Sequence, residues 1–306
     1  MKTDEYVIDE PFNRLNDAYF KYVLASPEHR NLTVSFINAV LSYQPSENEK
    51  PVVIEDVEFL DRETVPLSEH DKIPRFDMLA RSLDGRHFHV EVQNASEKSF
   101  VKRSLYYAAY DYTMQARKGA DYSELRPVIF IGIMNFNLFG DVSEGRDWYT
   151  LHKLLNVKTL ENKFHDVEFH MIELPVLIKS LKKLKDAPVS MSELERQLCY
   201  FSFKEGDKTM RKILDYAAQK SREVAEMIDL EQQFRLDPNL RRQYMWAQSA
   251  HQDYLNNMKD AREKGLEEGL EEGRKDSARK LRLQGILSDE QIADALDIPV
   301  EVVKTL

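Results

Sequence analysis

Cysteine is almost absent. Cys199 stands alone in 306 residues, which excludes an internal disulfide and a multi-thiolate zinc site and fits a reducing compartment. Glycine is scarce, with ten residues, and none builds a phosphate-cradling loop: Gly265-Leu266-Glu267-Glu268-Gly269 has no strand before it and no Lys-Ser or Lys-Thr after it. Long apolar runs are missing too. The longest, residues 127–134, falls far short of the roughly 20 residues that span a bilayer. The opening Met1-Lys2-Thr3-Asp4-Glu5 begins no signal peptide, so a soluble, cytoplasmic protein is expected. Positive charge is in deficit, with 43 Lys and Arg against 53 Asp and Glu and a formal charge of −10. That balance argues against a protein that coats nucleic acid through a general basic surface, so any such contact must be local.

What the chain does have is a hydrophobic content of 42%, enough for a core, and one hairpin that carries chemistry. Arg75-Phe76-Asp77-Met78-Leu79 is followed, after a glycine turn, by His89-Val90-Glu91-Val92-Gln93. Side chains alternate along a strand, so Glu91 and Gln93 share one face and Phe88, Val90 and Val92 the other. On the first strand Phe76, Met78 and Ala80 form the apolar side and Asp77 lies opposite. A two-residue Asp84-Gly85 loop would put Asp77 on the side of Val92 and mix the two faces. A three-residue loop with Gly85 in the left-handed region, or a bulge, brings Asp77 and Glu91 together. An odd-length loop is therefore expected.

Two carboxylates on adjacent strands repel unless a cation, a proton or an arginine satisfies them. A divalent metal held by Asp77 and Glu91 is one solution, and an ion pair with Arg75 or Arg103 is another. His87 and His89 fall on the face of Glu91, either as further ligands or as polar strand residues. Because carboxylates dominate, Mg²⁺ or Mn²⁺ fits better than zinc. Lys98, Lys102 and Arg103, with Arg117 and Lys118 beyond and Arg75 and Arg81 beside Asp77, form either a basic rim for DNA or a solvated helix face.

Around this hairpin the periodicity predicts helices at residues 13–24 (Leu15, Tyr19, Tyr22 and Val23 on one side) and 32–41, a polar linker at 45–51 and a strand at 52–60. Val101, Leu105, Ala108, Ala109 and Tyr112 fall at helical spacing over the hairpin, with Tyr112 turned inward beside Leu105. Tyr106, Tyr107, Tyr110 and Tyr112 form either a base-stacking set or core residues, and most are expected in the core. Val128-Ile129-Phe130-Ile131-Gly132-Ile133 reads as a buried central strand, and residues 167–172 as another. After about residue 181 the pattern is helical, with Asp237-Pro238 as a helix start. Gly265, Gly269 and Gly273 recur on one helix face. Each costs about 1 kcal/mol against alanine, so the face is either a close-packed contact with a second protomer or part of a solvated spacer. Segments at 276–283, 289–296 and 299–306 form a helix-turn-helix-like unit with a Ser288/Gln291 capping box. Its last helix offers Lys304 as a cation and Glu301 in the first turn, which favours a protein contact or cap over groove reading.

The hairpin and its surroundings resemble the PD-(D/E)xK nuclease superfamily, and more closely its Rpn branch of recombination-promoting nucleases and transposase-like proteins. Asn16-Asp17-Ala18-Tyr19-Phe20-Lys21 looks like the family's first helix, Phe36-Ile37-Asn38-Ala39-Val40-Leu41 its second, and Lys102-Arg103-Ser104-Leu105-Tyr106-Tyr107 the helix after the hairpin. Ile172-Glu173-Leu174-Pro175, Glu263-Lys264-Gly265-Leu266-Glu267-Glu268-Gly269 and Leu287-Ser288-Asp289-Glu290-Gln291-Ile292-Ala293 resemble later landmarks. Two positions depart from the superfamily pattern: Phe76 replaces its proline and Gln93 its lysine, and glutamine supplies no positive charge.

The resemblance implies an α/β fold with a mixed sheet sandwiched by helices and a long helical C-terminal extension. It divides into a nuclease-like domain at 1–205, a helical extension at 206–275 and a small helical unit at 276–306. It also implies a metal-dependent DNA endonuclease linked to recombination, mobile elements or defence, with catalytic residues Asp77, Glu91, Gln93 and Asp17. Asp77 and Glu91 would hold Mg²⁺ or Mn²⁺; Asp17 would hold the metal or its water, or else pair with Lys21. A homodimer or higher oligomer through the C-terminal helices is expected. The alternative is a catalytically idle nuclease fold serving as an oligomeric interaction module.

Overall fold

The computed structural model describes residues 11–43, 52–61, 76–97, 99–140, 146–184 and 190–306. Arg75, Lys98 and the linker at 45–51 lie outside the described residues. In chain order the elements are α1 (Asp17–Leu24), α2 (Arg30–Leu41), β1 (Val57–Phe59), β2 (Met78–Ser82), β3 (His87–Gln93), α3 (Phe100–Met114), β4 (Val128–Met134), β5 (Tyr149–Leu155) and β6 (Asn162–Glu173). There follow α4 (Leu174–Lys183), α5 (Glu193–Ser202), α6 (Lys208–Lys220), α7 (Arg222–Leu236), α8 (Pro238–Gln284), α9 (Asp289–Leu296) and α10 (Val300–Thr305).

The six strands form one mixed sheet in the order β1-β2-β3-β4-β6-β5. β3 to β4 and β4 to β6 are parallel, and the other pairings are antiparallel. Every residue of β4 is buried, as its unbroken apolar run requires of a strand covered on both faces. Ile129, Ile131 and Ile133 join the large core with Met78, Ala80, Phe88, Val90 and helices α1, α2 and α4 to α7. Phe130 and Met134 point the other way, into a smaller cluster with Phe100 of α3 and Met171 of β6. Gly132 makes that second layer fit: a Cβ there would lie 3.2 Å from the Phe100 ring and 3.1 Å from Met171 Sδ.

Several sequence expectations change. Of the strand expected at 52–60 only Val57–Phe59 pairs, because the main chain of Ile54 is bonded to the Asn38 side-chain amide instead. β6 is twice the expected length and pairs with β5, a strand that sequence reading missed. β5 is an edge strand whose residues are mostly exposed, so it carries no hydrophobic alternation to read. On α3 the buried residues are Phe100, Ser104, Ala108, Tyr110 and Asp111, whereas Val101 and Leu105 are exposed. Tyr106 is exposed and Tyr110 buried, and Tyr112 donates to Asp166 at 2.9 Å rather than turning into the core. The face presented to α3 carries histidines, so the helix answers with small and polar residues and not with its most apolar stripe.

The chain divides into two compact units, one ending at Gln248 and the other running from Ser249 to Leu306. The first extends past the boundary expected at residue 205, because Met210, Ile213, Leu214, Ala217, Val224, Met227, Phe234 and Tyr244 all belong to the large core. Asp237 caps α8 by accepting from Asn239 and Leu240 N–H. In the second unit Ala278, Ile292, Ala293 and Val303 form a small core. The expected helix at 276–283 is the end of the 47-residue α8, and the Ser288/Gln291 capping box is present. Among the described residues no helix is long and apolar enough to cross a membrane.

Candidate active site

The β2–β3 hairpin sets the site. Arg81 pairs with His87, Ser82 N–H donates to Arg86 O at 2.9 Å and Gly85 N–H to Ser82 O at 2.9 Å. The loop is thus the three residues Leu83-Asp84-Gly85, with Gly85 at φ +89°, a conformation that an L side chain adopts only under strain. Met78 faces Val90 in this register, and continuing it by one residue sets Asp77 opposite Glu91.

Each of these carboxylates is fixed by a main-chain donor. Val92 N–H donates to Asp77 Oδ2 at 2.9 Å, and Asp77 N–H donates to Glu91 Oε1 at 3.2 Å. One oxygen of each is thereby held in place, and Asp77 Oδ1 and Glu91 Oε2 remain. Glu91 is 3% exposed and pairs across β4 with Gly132. Burial pushes its carboxyl well above the usual range, the neighbouring Asp77 charge adds to this, and Arg103 and Lys21 offset part of it. Burial also raises Asp77, against the pull of Lys21 and the Val92 hydrogen bond and with the help of the nearby Asp17 charge. The pair is therefore short of positive charge.

Lys21 reaches this pair from α1. Its Nζ lies 2.6 Å from Asp17 Oδ1 and 3.6 Å from Asp77 Oδ1. The i,i+4 spacing of Asp17 and Lys21 was legible, but nothing local showed that their helix meets Asp77. The meeting is built by long-range polar contacts. Asn16 caps α1 through Ala18 N–H and Tyr19 N–H, and its amide donates to Tyr244 O. Asn94, next after β3, donates to Leu15 O at 2.8 Å. Arg14 forms a buried pair with Glu231 at 2.7 Å and donates to Phe203 O.

Gln93 follows Glu91 on the same strand face, half-buried, and its side chain makes no hydrogen bond to a described residue. Lys102 is exposed on α3. Arg103 does not bridge to Glu91: it pairs with Glu97 at 2.5 Å, stacks over Phe100 and keeps a buried Nη2 without a partner.

His87 and His89 do not join the carboxylates. Both bind Asp111 of α3, His87 Nδ1 at 2.9 Å and His89 Nε2 at 2.7 Å. Phe76 departs from its expected side, packing edge-on against His89 at 4.6 Å and Tyr107 at 5.3 Å. β2 begins at Met78, so the two-residue alternation does not extend back to Phe76. Glu173, in the Ile172-Glu173-Leu174-Pro175 landmark, is 1% exposed. It accepts from Leu138 and Phe139 N–H and pairs with Arg146, which makes it a clamp on the β4–β5 connection.

Among the described residues no group of three or more His, Cys, Asp or Glu side chains is disposed to hold a metal. The Asp77/Glu91 pair still fits a hard divalent ion, because Mg²⁺ is commonly bound by one or two carboxylates and completes its shell with water and phosphate oxygens. The two remaining oxygens and the negative charge that Lys21 and Arg103 offset only in part are what such an ion would use.

A mixed sheet between helical layers, with two anchored carboxylates on its central hairpin, is the framework of the PD-(D/E)XK nucleases. The chain matches the PD-(D/E)XK nuclease family transposases over residues 14–261, and it belongs to that family. No curated protein and no solved structure matches it.

Proposed function

We propose that this protein is a Mg²⁺- or Mn²⁺-dependent DNA endonuclease that hydrolyses phosphodiester bonds in recombination, mobile-element movement or defence. The observation that carries the reading is the juxtaposition of Asp77 and Glu91, each fixed through one oxygen by a main-chain N–H. Those two residues would hold the metal, which when bound polarises the scissile phosphate and lowers the pKa of the attacking water. Gln93, unengaged and on the face of Glu91, orients that water or a phosphate oxygen. Lys102 and Arg103 contact the DNA backbone beside the site, where a local basic group matters most in a chain of charge −10.

Conversion of supercoiled plasmid to nicked or linear DNA in Mg²⁺ tests the reading. Wild type should cut, and Asp77→Ala and Glu91→Ala should not while keeping the wild-type circular dichroism spectrum. Cleavage persisting in both variants would refute the site. Gln93 at the usual lysine position supports a second reading, an idle nuclease fold used for assembly. Calorimetry with Mn²⁺ separates the two, since binding that depends on Asp77 and Glu91 belongs only to the first.

A further inference from the structure

Gln93 stands on β3 where the superfamily has a lysine, and the structure places a lysine beside Asp77 from another element. We propose that Lys21 of α1 is the catalytic cation of this site, donating positive charge and a hydrogen bond to the scissile phosphate, and that Asp17 is a positioning residue that holds it there. The proposal rests on the endonuclease reading above.

Three observations converge on it. Lys21 Nζ stands 3.6 Å from Asp77 Oδ1, the oxygen that Val92 does not occupy. An ammonium beside the buried Glu91 and the half-buried Asp77 is a local answer to their charge, and a divalent ion taking up Asp77 Oδ1 would compete with it. Asp17 answers that competition, because it holds Lys21 at 2.6 Å through a carboxylate of its own, a contact that makes no use of Asp77. The Asp17 side chain is 55% exposed and takes part in an ion pair with Lys21, which suits a tether better than a metal ligand. The Lys21 side chain is 28% exposed, so it is not sealed in the core while it touches the carboxylates, as a group meeting an incoming phosphate needs.

The support of α1 gives this placement its rigidity. Asn94 ties Leu15 to the end of β3, Arg14 ties the preceding turn to Glu231 of α7, and Tyr19 contacts Tyr200 of α5 through their hydroxyls. The helix bearing Lys21 is therefore fixed to the strand bearing Glu91. A lysine placed by α1 can do what a lysine on β3 would do, because transition-state stabilisation depends on where the charge sits and not on which element delivers it. Lys21 forms and breaks no covalent bond in this role. Water supplies the attacking oxygen, the P–O bond to the leaving oxygen breaks, and the water proton goes to solvent or to that leaving group.

The protein is tested as Lys21→Met, Lys21→Gln, Lys21→Arg, Asp17→Asn, Asp77→Ala and Lys21→Met/Gln93→Lys, by Mn²⁺ calorimetry and single-turnover cleavage of plasmid DNA. Lys21→Met and Lys21→Gln should bind Mn²⁺ as tightly as wild type or more tightly, yet cleave about 100- to 1,000-fold more slowly, the usual cost of one preorganised donor. Asp17→Asn should show a smaller loss of the same kind. Lys21→Arg should retain part of the rate, and the Gln93→Lys change should restore part of it to Lys21→Met. A merely structural lysine would lose Mn²⁺ binding together with cleavage, and that result overturns the proposal. So does wild-type cleavage in folded Lys21→Met or Lys21→Gln while Asp77→Ala is inert, which leaves the endonuclease reading standing. A wild type that neither binds Mn²⁺ nor cleaves overturns both.

Discussion

Glu91 illustrates how a carboxylate can be placed where it weakens the fold. Its carboxyl is pushed up by burial and by Asp77. A group whose pKa is raised on folding contributes stability below its unfolded value and loses it as pH rises toward the folded value. At neutral pH the metal-free protein therefore carries this pair as a cost. Glu91→Gln should raise the melting temperature of the metal-free protein at pH 7, by about 2–4 °C for each kcal/mol relieved, and should abolish the further rise that Mn²⁺ gives the wild type. The loss of cleavage should exceed the ~10- to 100-fold typical of groups that only support a metal ligand. Differential scanning calorimetry with and without Mn²⁺ reads the stability part, and a metal-free variant that melts below wild type would contradict it. Gly85 poses the opposite case, a residue required by geometry alone. At φ +89°, with a Cβ that would lie 3.0 Å from Arg126 Cγ, Gly85→Ala should cost at least the ~1–2 kcal/mol of a left-handed L residue. Chemical denaturation measures it, and an unchanged midpoint would show that the loop relaxes freely.

The elements show what was legible in the sequence and why the rest was not. The register of the β2–β3 hairpin could be read because face alternation and the turn glycine constrain it jointly, and only an odd loop satisfies both. The buried β4 was equally plain from its unbroken apolar run. The packing of α3 could not be read, because a helix usually buries its apolar stripe and this one faces a strand bearing His87 and His89. Asp111 is the reason: burial alone would raise its carboxyl, but the hydrogen bonds from the two histidines outweigh this and hold it at about 2. The link between α1 and the site was hidden for a different reason. It depends on contacts such as Asn94 to Leu15 and Arg14 to Glu231, which leave no periodic trace. Because the Asp111 pKa is depressed, its stabilisation is full above the unfolded carboxylate value near 3.9 and is lost as pH falls toward 2. The stability difference between wild type and Asp111→Asn in urea should therefore be large at about pH 5 and shrink between about pH 4 and 2. A difference that stays level across that window would mean that this cluster does not hold α3 to the sheet.

At the scale of the whole molecule the glycine face of α8 meets no described residue, although Arg274 further along the helix bonds to Asp297. Nothing lies within 4 Å of where a Cβ would stand on Gly265, Gly269 or Gly273, and Leu266 and Leu270 are 64% and 58% exposed. Ion pairs at i,i+4, such as Lys264 with Glu268 and Lys275 with Glu271, support the helix on its own, at about 0.2–0.5 kcal/mol each. Three glycines on one face of such a helix forfeit about 3 kcal/mol of helix propensity relative to alanine. Our proposal is that a second copy of this helix recovers that loss by close approach along the glycine face, which makes the protein at least a dimer. Changing all three to alanine discriminates between this and a solvated spacer. With no intramolecular neighbour to clash, the variant helix must gain propensity in the monomer, so a spacer would become more helical and more heat-resistant with no change in mass. A close-packed interface would instead lose association, because three methyl groups would separate the two backbones. Multi-angle light scattering at micromolar concentration should show a dimeric wild type and a monomeric triple variant. A wild type that runs as a monomer would remove the interface and leave the glycines as features of an isolated arm.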